Sequence, residues 1–506
     1  MADEVKLMAD RKHAPEHLGR VLVLGLGKSG RAAARYCAGL LGTRVDSLSI
    51  AAGAENEAAH AFIDEIARDG VSVAYGDDGA KQLAAGADVP FDCCIASPGI
   101  PFWAPLYVDG KAASRELMSE VEFAWRESAA DSTWVAITGT NGKTTTTACC
   151  AALLRQAGMN ARAVGNIGDT CLDAVAAADT DVYVAEVSSY QLASTIDFAP
   201  NVAVLLNITP DHVHWHRTLE AYRDAKFKIL ANLPKTPGAV AVLDATNDVV
   251  RERVRALKAL SPEERGFAYI PLGTKAGIEG DMRAACGADN AAFLDVDGKL
   301  HIAFDGRDHV LCAAADLQIK GAHNVSNALA ASAAAVALGA PDAAIVEALR
   351  AFKPLEHRIE PCGTVAGVRC YNDSKATNVD ATLKALAAFP ETRPVVLLGG
   401  DDKGTDLSAL VAAAHRHVRA VVCFGAAGER FERAFADAAD AAPADFKVVR
   451  AGGMESALDA ALGMAQAGEV VLLSPACASF DEFSCFEERG DVFKRLVAER
   501  ARTLGA

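Results

Sequence analysis

The chain has 506 residues, 51% of them hydrophobic and 23% charged, which is enough apolar material for several buried cores and excludes global disorder. Its net charge of −16 excludes broad non-specific binding to nucleic acid, which needs basic surface to displace counterions. Anionic ligands must therefore be held by local donors, and at roughly 150 residues per domain the length predicts about three domains.

The opening residues mix Asp, Glu, Lys, Arg and His and lack the apolar core of a leader peptide. The longest apolar stretch, residues 325–340, is interrupted by Ser326, Asn327 and Ser332 and is too short to span a bilayer, so no membrane insertion is expected. Thirteen cysteines, an odd number with no CxxC pair, read as reduced core thiols in a cytoplasmic protein, not as a disulfide framework or zinc site.

Short apolar runs alternate with helical patterns throughout, the signature of an α/β protein with parallel sheets covered by helices. Residues 20–24 predict a buried strand and 29–41 the helix after it. Between them Gly25-Leu-Gly-Lys-Ser-Gly30 forms a GxGxxG turn that fits nucleotide binding without choosing NAD over another nucleotide. Asp46 lies near the place of a ribose-binding acid, and equally suits a solvated strand end; a dehydrogenase stays open at this point. Strands are predicted at 134–138, 181–187 and 202–208 in the middle of the chain, and at 394–398, 420–424, 446–449 and 469–473 near its end. A polar, Gly-rich stretch, 266–308, reads as β-hairpins or an insertion. The composition change near Ser119 and the Lys353-Pro354 pair suggest domains 1–118, 119–355 and 356–506.

The most informative segment is Trp134-Val-Ala-Ile-Thr-Gly-Thr-Asn-Gly-Lys-Thr-Thr-Thr146. A strand runs into the Gly139, Thr140, Asn141, Gly142 turn and then into a helix beginning near Lys143. The glycines let backbone N–H groups face a polyphosphate at a helix N-terminus. Lys143 can reach the terminal phosphates, and Thr144 or Thr145 can offer a hydroxyl to Mg²⁺. Two residues separate the glycines, where the general Walker pattern has four. Downstream, His212, His214 and His216 alternate, which on an extended segment places all three on one face in the manner of a transition-metal site. With no supporting cluster elsewhere, His214 and His216 read as solvated loop residues. Pattern alone makes Lys226 a snorkelling helix lysine.

The phosphate loop is followed by Gly165-Asn-Ile-Gly168, Glu186-Val-Ser-Ser-Tyr-Gln-Leu192 and Asn207-Ile-Thr-Pro-Asp-His212. Then come Gly321-Ala-His-Asn-Val-Ser-Asn327, Glu356-His-Arg358, Asn372-Asp-Ser-Lys-Ala-Thr-Asn378, Leu398-Gly-Gly-Asp-Asp-Lys403 and Ser474-Pro-Ala-Cys-Ala-Ser-Phe-Asp-Glu-Phe483. In this order the set resembles the Mur ligases, the ATP-dependent amino-acid ligases of peptidoglycan precursor synthesis, and touches the chain from about residue 20 to 495. The resemblance implies three domains: N-terminal Rossmann-like for a UDP moiety, central P-loop ATPase-type, and C-terminal Rossmann-like for the amino acid. Its last motifs imply an enzyme that adds D-glutamate to UDP-N-acetylmuramoyl-L-alanine through an acyl phosphate, releasing ADP and phosphate, in the cytoplasm and as a monomer.

Matched position by position, the resemblance assigns ATP to Gly139, Thr140, Asn141, Gly142, Lys143, Thr144 and Thr145. It adds Asn324, Asn327 and His357 at adenine, Arg358 at a phosphate, and Asp373 and Lys375 at ribose and phosphate. Ser29, Ser97 and Gly99 fall to the uridine nucleotide, and Asn166, Ser188 and His212 to the muramoyl-alanine substrate. Thr377 and Lys403 match one D-glutamate carboxylate, while Ser479 and the backbone around Phe480 and Phe486 match the other. Thr144, Glu186, His212 and Lys226, the last as a carbamate formed with CO₂, match the ligands of two Mg²⁺ ions. Lys143, Lys226, His212 and Arg358 thereby become the catalytic set. Relatives carry Asp-Thr-Arg after the second strand where this chain has Val45-Asp-Ser-Leu48, so Asp46 has no clean match. The rivals are a sister ligase or folylpolyglutamate synthetase, a nucleotide-dependent dehydrogenase built on Gly25 to Gly30, and a non-enzymatic nucleotide switch.

Overall fold

Runs of Val, Ile, Leu and Ala with no polar alternation need cover on both faces, and the chain meets that need with three sheets flanked by helices. The computed structural model describes residues 7–85, 91–273, 290–295, 297–389, 392–402 and 404–505. The chain divides into two compact units, Met1–Asp316 with Ser326–Arg350, and Leu317–Val325 with Ala351–Ala506.

The first unit holds two sheets. One has five strands, all parallel, in the order Val71–Ala74, Val45–Ala51, Gly19–Leu24, Cys93–Ala96, Leu117–Ser119. The other has nine, in the order Arg307–Ala313, Lys299–Phe304, Ala291–Leu294, Ala268–Leu272, Val240–Asp244, Val202–Leu205, Thr133–Thr138, Val182–Glu186, Ala161–Gly165. Its first two strands are antiparallel additions and the rest run parallel. Of the Gly-rich stretch 266–308, the described parts join this sheet: Ala268–Leu272 as a parallel inner strand, then Ala291–Leu294, Lys299–Phe304 and Arg307–Ala313 in the antiparallel pairs expected of hairpins; residues 274–289 and 296 lie outside the described residues. The helix Glu120–Glu127 joins the two sheets and is buried along its whole length. Glu122 accepts the backbone N–H groups of Ile196, Asp197 and Phe198, and Glu127 accepts Tyr36 and Arg44, so these two carboxylates are satisfied, whereas Glu120 accepts Leu172 N on one oxygen and buries the other without a partner.

The second unit carries a six-stranded sheet, in the order Glu360–Val365, Val368–Asn372, Val470–Leu473, Val395–Gly399, Ala420–Phe424, Lys447–Arg450, parallel except for the first hairpin. In each sheet some of the sequence motifs leave the carboxyl ends of strands where the strand order reverses, the place where open α/β sheets bind ligands: the turns after Gly19–Leu24, Thr133–Thr138 and Val395–Gly399 are examples. The described cysteines are free thiols, nearly all buried. No helix among the described residues is long and apolar enough to cross a membrane.

Candidate active site

Strand Thr133–Thr138 lies between Val202–Leu205 and Val182–Glu186, so the turn after it opens over the crevice between its neighbours. Gly142 stands at φ +87°, and a Cβ there would lie 2.4 Å from Asn327 Oδ1, so only glycine permits this turn and this neighbour. Gly142 also caps helix Lys143–Gln156 without a side chain, leaving the first-turn N–H groups for a ligand. Thr144 is half-buried and Thr145 buried, which makes Thr144 the more accessible hydroxyl. Lys143 Nζ donates to the carbonyls of Gly139 (3.0 Å) and Thr140 (2.9 Å) and so lies along its own loop.

The segment after strand Val202–Leu205 braces the loop. Thr140 N donates to Asn207 O at 2.7 Å, Asn141 N to Asn207 Oδ1 at 2.8 Å, and Asn207 Nδ2 returns a bond to Asn141 O at 3.0 Å. Thr140 Oγ1 accepts from Thr209 N at 3.0 Å and lies 2.8 Å from the Tyr222 hydroxyl. Neither Asn207 nor Tyr222 has a role on the sequence motifs alone. Their signal was Asn207's place in a motif and Tyr222's position one helical turn before Lys226.

Lys226, on helix Leu219–Phe227, is 2% exposed and does not snorkel. Its Nζ donates to Gly139 O at 2.7 Å and to Thr138 Oγ1 at 3.4 Å, over the Tyr222 ring. Burial pulls its pKa well below the ordinary lysine value, the Lys143 charge pulls it further, and Asp211 and Glu186 oppose. Lys228, two residues on, turns elsewhere, to the carbonyls of Ala193 and Thr195.

Glu186 ends its strand 1% exposed. Asn166 Nδ2 donates to its Oε1 at 2.9 Å, whereas Oε2 is buried with no hydrogen-bond partner. It does not cap the next helix: Ser188 does, in a reciprocal box with Gln191. An orphaned buried carboxylate oxygen is costly unless a cation completes it. Among the described residues no cluster of His, Cys, Asp or Glu forms a cage of its own. That donor set fits Mg²⁺, which is held by one or two carboxylates together with substrate phosphate oxygens.

The histidines depart from expectation. His212 sits at φ +54° with Nδ1 2.7 Å from the Tyr190 hydroxyl, and Val213–His216 is a helical turn, so the three do not share one extended face. His214 is exposed, but His216 is no solvated loop residue. It is buried, stacks on Tyr190 and has Nε2 2.9 Å from Ser189 Oγ. Burial first, then the His212 and Lys226 charges, push its pKa down to about 4, which keeps it neutral.

In the five-stranded sheet, Gly25 and Ser97 follow adjacent strands. A Cβ on Gly30 would lie 2.0 Å from Gly25 O and 2.6 Å from Ser97 Oγ, so glycine sets the close approach of helix Lys28–Gly39. Ser29 is half-buried, Ser97 buried and Gly99 exposed. Asp46 is not near this turn. It starts strand Val45–Ala51, at the opposite end of the sheet from Gly25, and pairs in solvent with His17 Nε2 at 3.0 Å. The dehydrogenase reading loses its ribose acid.

In the second unit, Asn324 is buried with Nδ2 2.7 Å from Lys320 O; Asn327, which belongs to the first unit, is buried as well, so neither is a surface position. His357 is buried against Asn372 Nδ2 (2.9 Å). Asp373 accepts Ile359 N and Ser474 Oγ, and burial, against the pull of Arg358 and Arg489, raises its pKa to about 7. Lys375 Nζ lies 3.6 Å from the centre of the Phe486 ring. Thr377 is half-buried, Ser479 buried and Phe480 71% exposed. Ser479 does not cap the last helix, Phe486–Leu504; Cys485 does. Lys403 lies outside the described residues.

Comparison with known proteins gives these sites a context. The Mur ligase middle-domain family matches residues 137–335, and the Mur ligase, glutamate ligase domain matches 357–477. The chain is 39% identical over 487 residues to a UDP-N-acetylmuramoylalanine–D-glutamate ligase of Salinibacter ruber, covering 94% of this chain and 97% of that one. It is 35% identical to a protein of the same name from Thermoanaerobacter sp. strain X514, covering 96% and 99%. Among solved structures, a pseudomurein peptide ligase type C from Methanothermus fervidus aligns with a TM-score of 0.53 at 19% identity, over 95% of this chain and 99% of that chain. A Mycobacterium tuberculosis folylpolyglutamate synthase aligns with 0.52 at 16% identity, over 72% and 91%. These two share the fold.

Proposed function

The chain belongs to the Mur ligase family, and from that premise we propose that it joins D-glutamate to UDP-N-acetylmuramoyl-L-alanine at the expense of ATP, in peptidoglycan precursor synthesis. Full-length likeness to ligases of that name carries the substrate assignment. The phosphate loop, with the orphaned Glu186 oxygen and buried Lys226 around it, supports the chemistry.

A carboxylate resists attack by an amine because attack adds charge to an anion. Transfer of the ATP γ-phosphoryl group to the alanyl carboxylate makes an acyl phosphate, and the D-glutamate amine then displaces phosphate through a tetrahedral intermediate. The protein positions the carboxylate, neutralises charge and excludes water. In this reading Gly139, Thr140, Asn141, Gly142 and Thr145 cradle the phosphates, and Lys143 leaves its loop carbonyls for the terminal phosphate. Thr144, Glu186 and His212 hold the two Mg²⁺ ions, which when bound offset the charge of the transferring group. Lys226 adds CO₂ as the neutral amine that burial favours, releasing a proton and leaving a carbamate toward the metal.

Ser29, Ser97 and Gly99 take the UDP moiety, and Asn166, Ser188 and His212 the muramoyl-alanine. On the second unit His357, Arg358, Asp373 and Lys375, with Asn324, are assigned to ATP, as is Asn327 on the first. Thr377, Lys403, Ser479, Phe480 and Phe486 are assigned to D-glutamate. The division 1–118, 119–355 and 356–506, a cytoplasmic location and a monomeric state complete the reading. Its test is trapping. With D-glutamate omitted and hydroxylamine added, the chain should convert UDP-N-acetylmuramoyl-L-alanine and ATP to a hydroxamate. ADP formation without hydroxamate would refute the acyl phosphate.

A further inference from the structure

Arg489, on helix Phe486–Leu504, is fully buried, and its hydrogen-bond partners are all neutral. Nε donates to Ser374 Oγ at 2.9 Å and Nη2 to Ser374 O at 2.7 Å; Nη1 donates to Cys477 O at 3.1 Å and Ala478 O at 2.9 Å. Ser374 Oγ passes the chain on to Phe486 O at 2.8 Å. Ala478 is itself tied to the third loop: Asp401 N donates to Ala478 O at 2.9 Å and Ala478 N to Asp401 O at 3.0 Å. The loops of Ser374, Ala478 and Asp401 leave the carboxyl ends of three adjacent parallel strands, Val368–Asn372, Val470–Leu473 and Val395–Gly399. Gly400 is required by this packing, since a Cβ there would lie 2.3 Å from Ala478 O and 3.1 Å from Arg489 Nη1.

Burying a guanidinium with no carboxylate in hydrogen-bond contact is expensive, and burial, opposed by the nearby Cys477, Asp481, Asp373 and Glu482, still pulls its pKa down to about 10. An apolar side chain would fill the same volume at lower cost, as the neighbours Phe493, Leu496 and Val497 do on the same helix. What an apolar residue cannot do is grip carbonyls from two loops in one rigid plane. The described groups assigned to D-glutamate lie close to this grip in sequence: Thr377 is three residues past Ser374, Ser479 and Phe480 follow Ala478, and Phe486 starts the helix that carries Arg489.

We propose that Arg489 is the positioning residue of the amino-acid site, holding the Ser374 and Ala478 loops so that Thr377 on one and Ser479 on the other meet the two carboxylates of D-glutamate. This rests on the ligase reading above and deepens it. Arg489 touches no substrate; it fixes the spacing between the two carboxylate-binding groups, and that spacing is what a five-carbon diacid is measured against. The residue is legible in the sequence only as one more arginine on a C-terminal helix.

The test compares Arg489→Lys, Arg489→Gln and Ser374→Ala with the wild-type chain in phosphate-release kinetics, varying D-glutamate and UDP-N-acetylmuramoyl-L-alanine in turn. Lysine keeps the charge but loses the planar fork, so both Arg489 variants should raise KM for D-glutamate at least tenfold and leave KM for the UDP substrate, bound by the other unit, within about twofold. Ser374→Ala, which removes a single link, should raise KM for D-glutamate severalfold. A merely structural arginine would lower the melting temperature and the active fraction, hence kcat, with D-glutamate KM unmoved; that result overturns the proposal. If both Arg489 variants fail to fold, Ser374→Ala decides, and a wild-type KM there overturns it equally. A wild-type chain whose phosphate release does not depend on D-glutamate would instead bring down the ligase reading itself.

Discussion

Asn207→Ala should damage ATP binding without touching any atom of the nucleotide. Asn207 Oδ1 accepts from Asn141 N–H at 2.8 Å and its Nδ2 donates to Asn141 O at 3.0 Å, closing both sides of one loop residue. Each such bond contributes about 0.5–1.5 kcal/mol net, so the pair holds the loop by about 1–3 kcal/mol. The backbone bond from Thr140 N to Asn207 O survives the substitution, so the loop loosens and does not unfold. If that ordering has to be restored when the phosphates bind, ATP affinity falls roughly 5- to 140-fold, at 1.4 kcal/mol per factor of ten. Calorimetric titration with a non-hydrolysable ATP analogue and Mg²⁺ measures it directly, and titration with the UDP substrate serves as the control, expected to be unchanged. A folded Asn207→Ala chain that binds the analogue within twofold of wild type would refute the claim that this brace organises the phosphate loop.

Lys143→Ala should retain the fold and lose ligation by a factor of order 10³ or more, since it removes the cation beside the transferring phosphoryl group; substantial turnover in the purified variant would count against the ATP site. Lys226→Ala should be nearly inactive and regain activity with acetate or formate, which supply the missing carbamate oxygens; full activity with no uptake of labelled CO₂ would end the carbamate proposal. Asp373 is held at about 7 by burial, against 3.8 for a free carboxyl, so the folded chain keeps a proton that the unfolded chain loses. Its contribution to stability therefore falls as pH rises from about 4 to about 7 and stays low above that. Asp373→Asn should accordingly gain in melting temperature relative to wild type between about pH 5 and pH 8, and a difference constant over that range would contradict the buried, protonated carboxyl.

The fold class was legible because strand-forming runs such as Val395–Gly399 and Ala420–Phe424 are apolar without alternation, and the phosphate loop because glycine spacing is dictated by backbone geometry. What stayed hidden depends on tertiary contact. Local pattern makes Lys226 an exposed helix lysine, and only the packing of Leu219–Phe227 against the loop shows it buried. The alternation of His212, His214 and His216 suggests an extended face, but the chain turns helical after a left-handed His212, which sends His216 into an aromatic core. Asp46 shows the same limit: its distance from Gly25 in sequence fits a ribose contact, while the parallel register places it at the wrong end of the sheet. Arg489 could not be found at all, since its partners are main-chain carbonyls that no side-chain pattern encodes.

The central claim is that this chain activates a carboxylate with ATP and accepts D-glutamate as the amine. It is tested most directly by phosphate release from UDP-N-acetylmuramoyl-L-alanine, ATP and Mg²⁺ with D-glutamate, L-glutamate, L-alanine or a diamino acid in parallel. Two fixed carboxylate sites leave the amine facing the acyl phosphate for one enantiomer only. Release should therefore be fast with D-glutamate and near background with L-glutamate. Faster release with L-alanine or a diamino acid would make the chain a sister ligase and contradict the account.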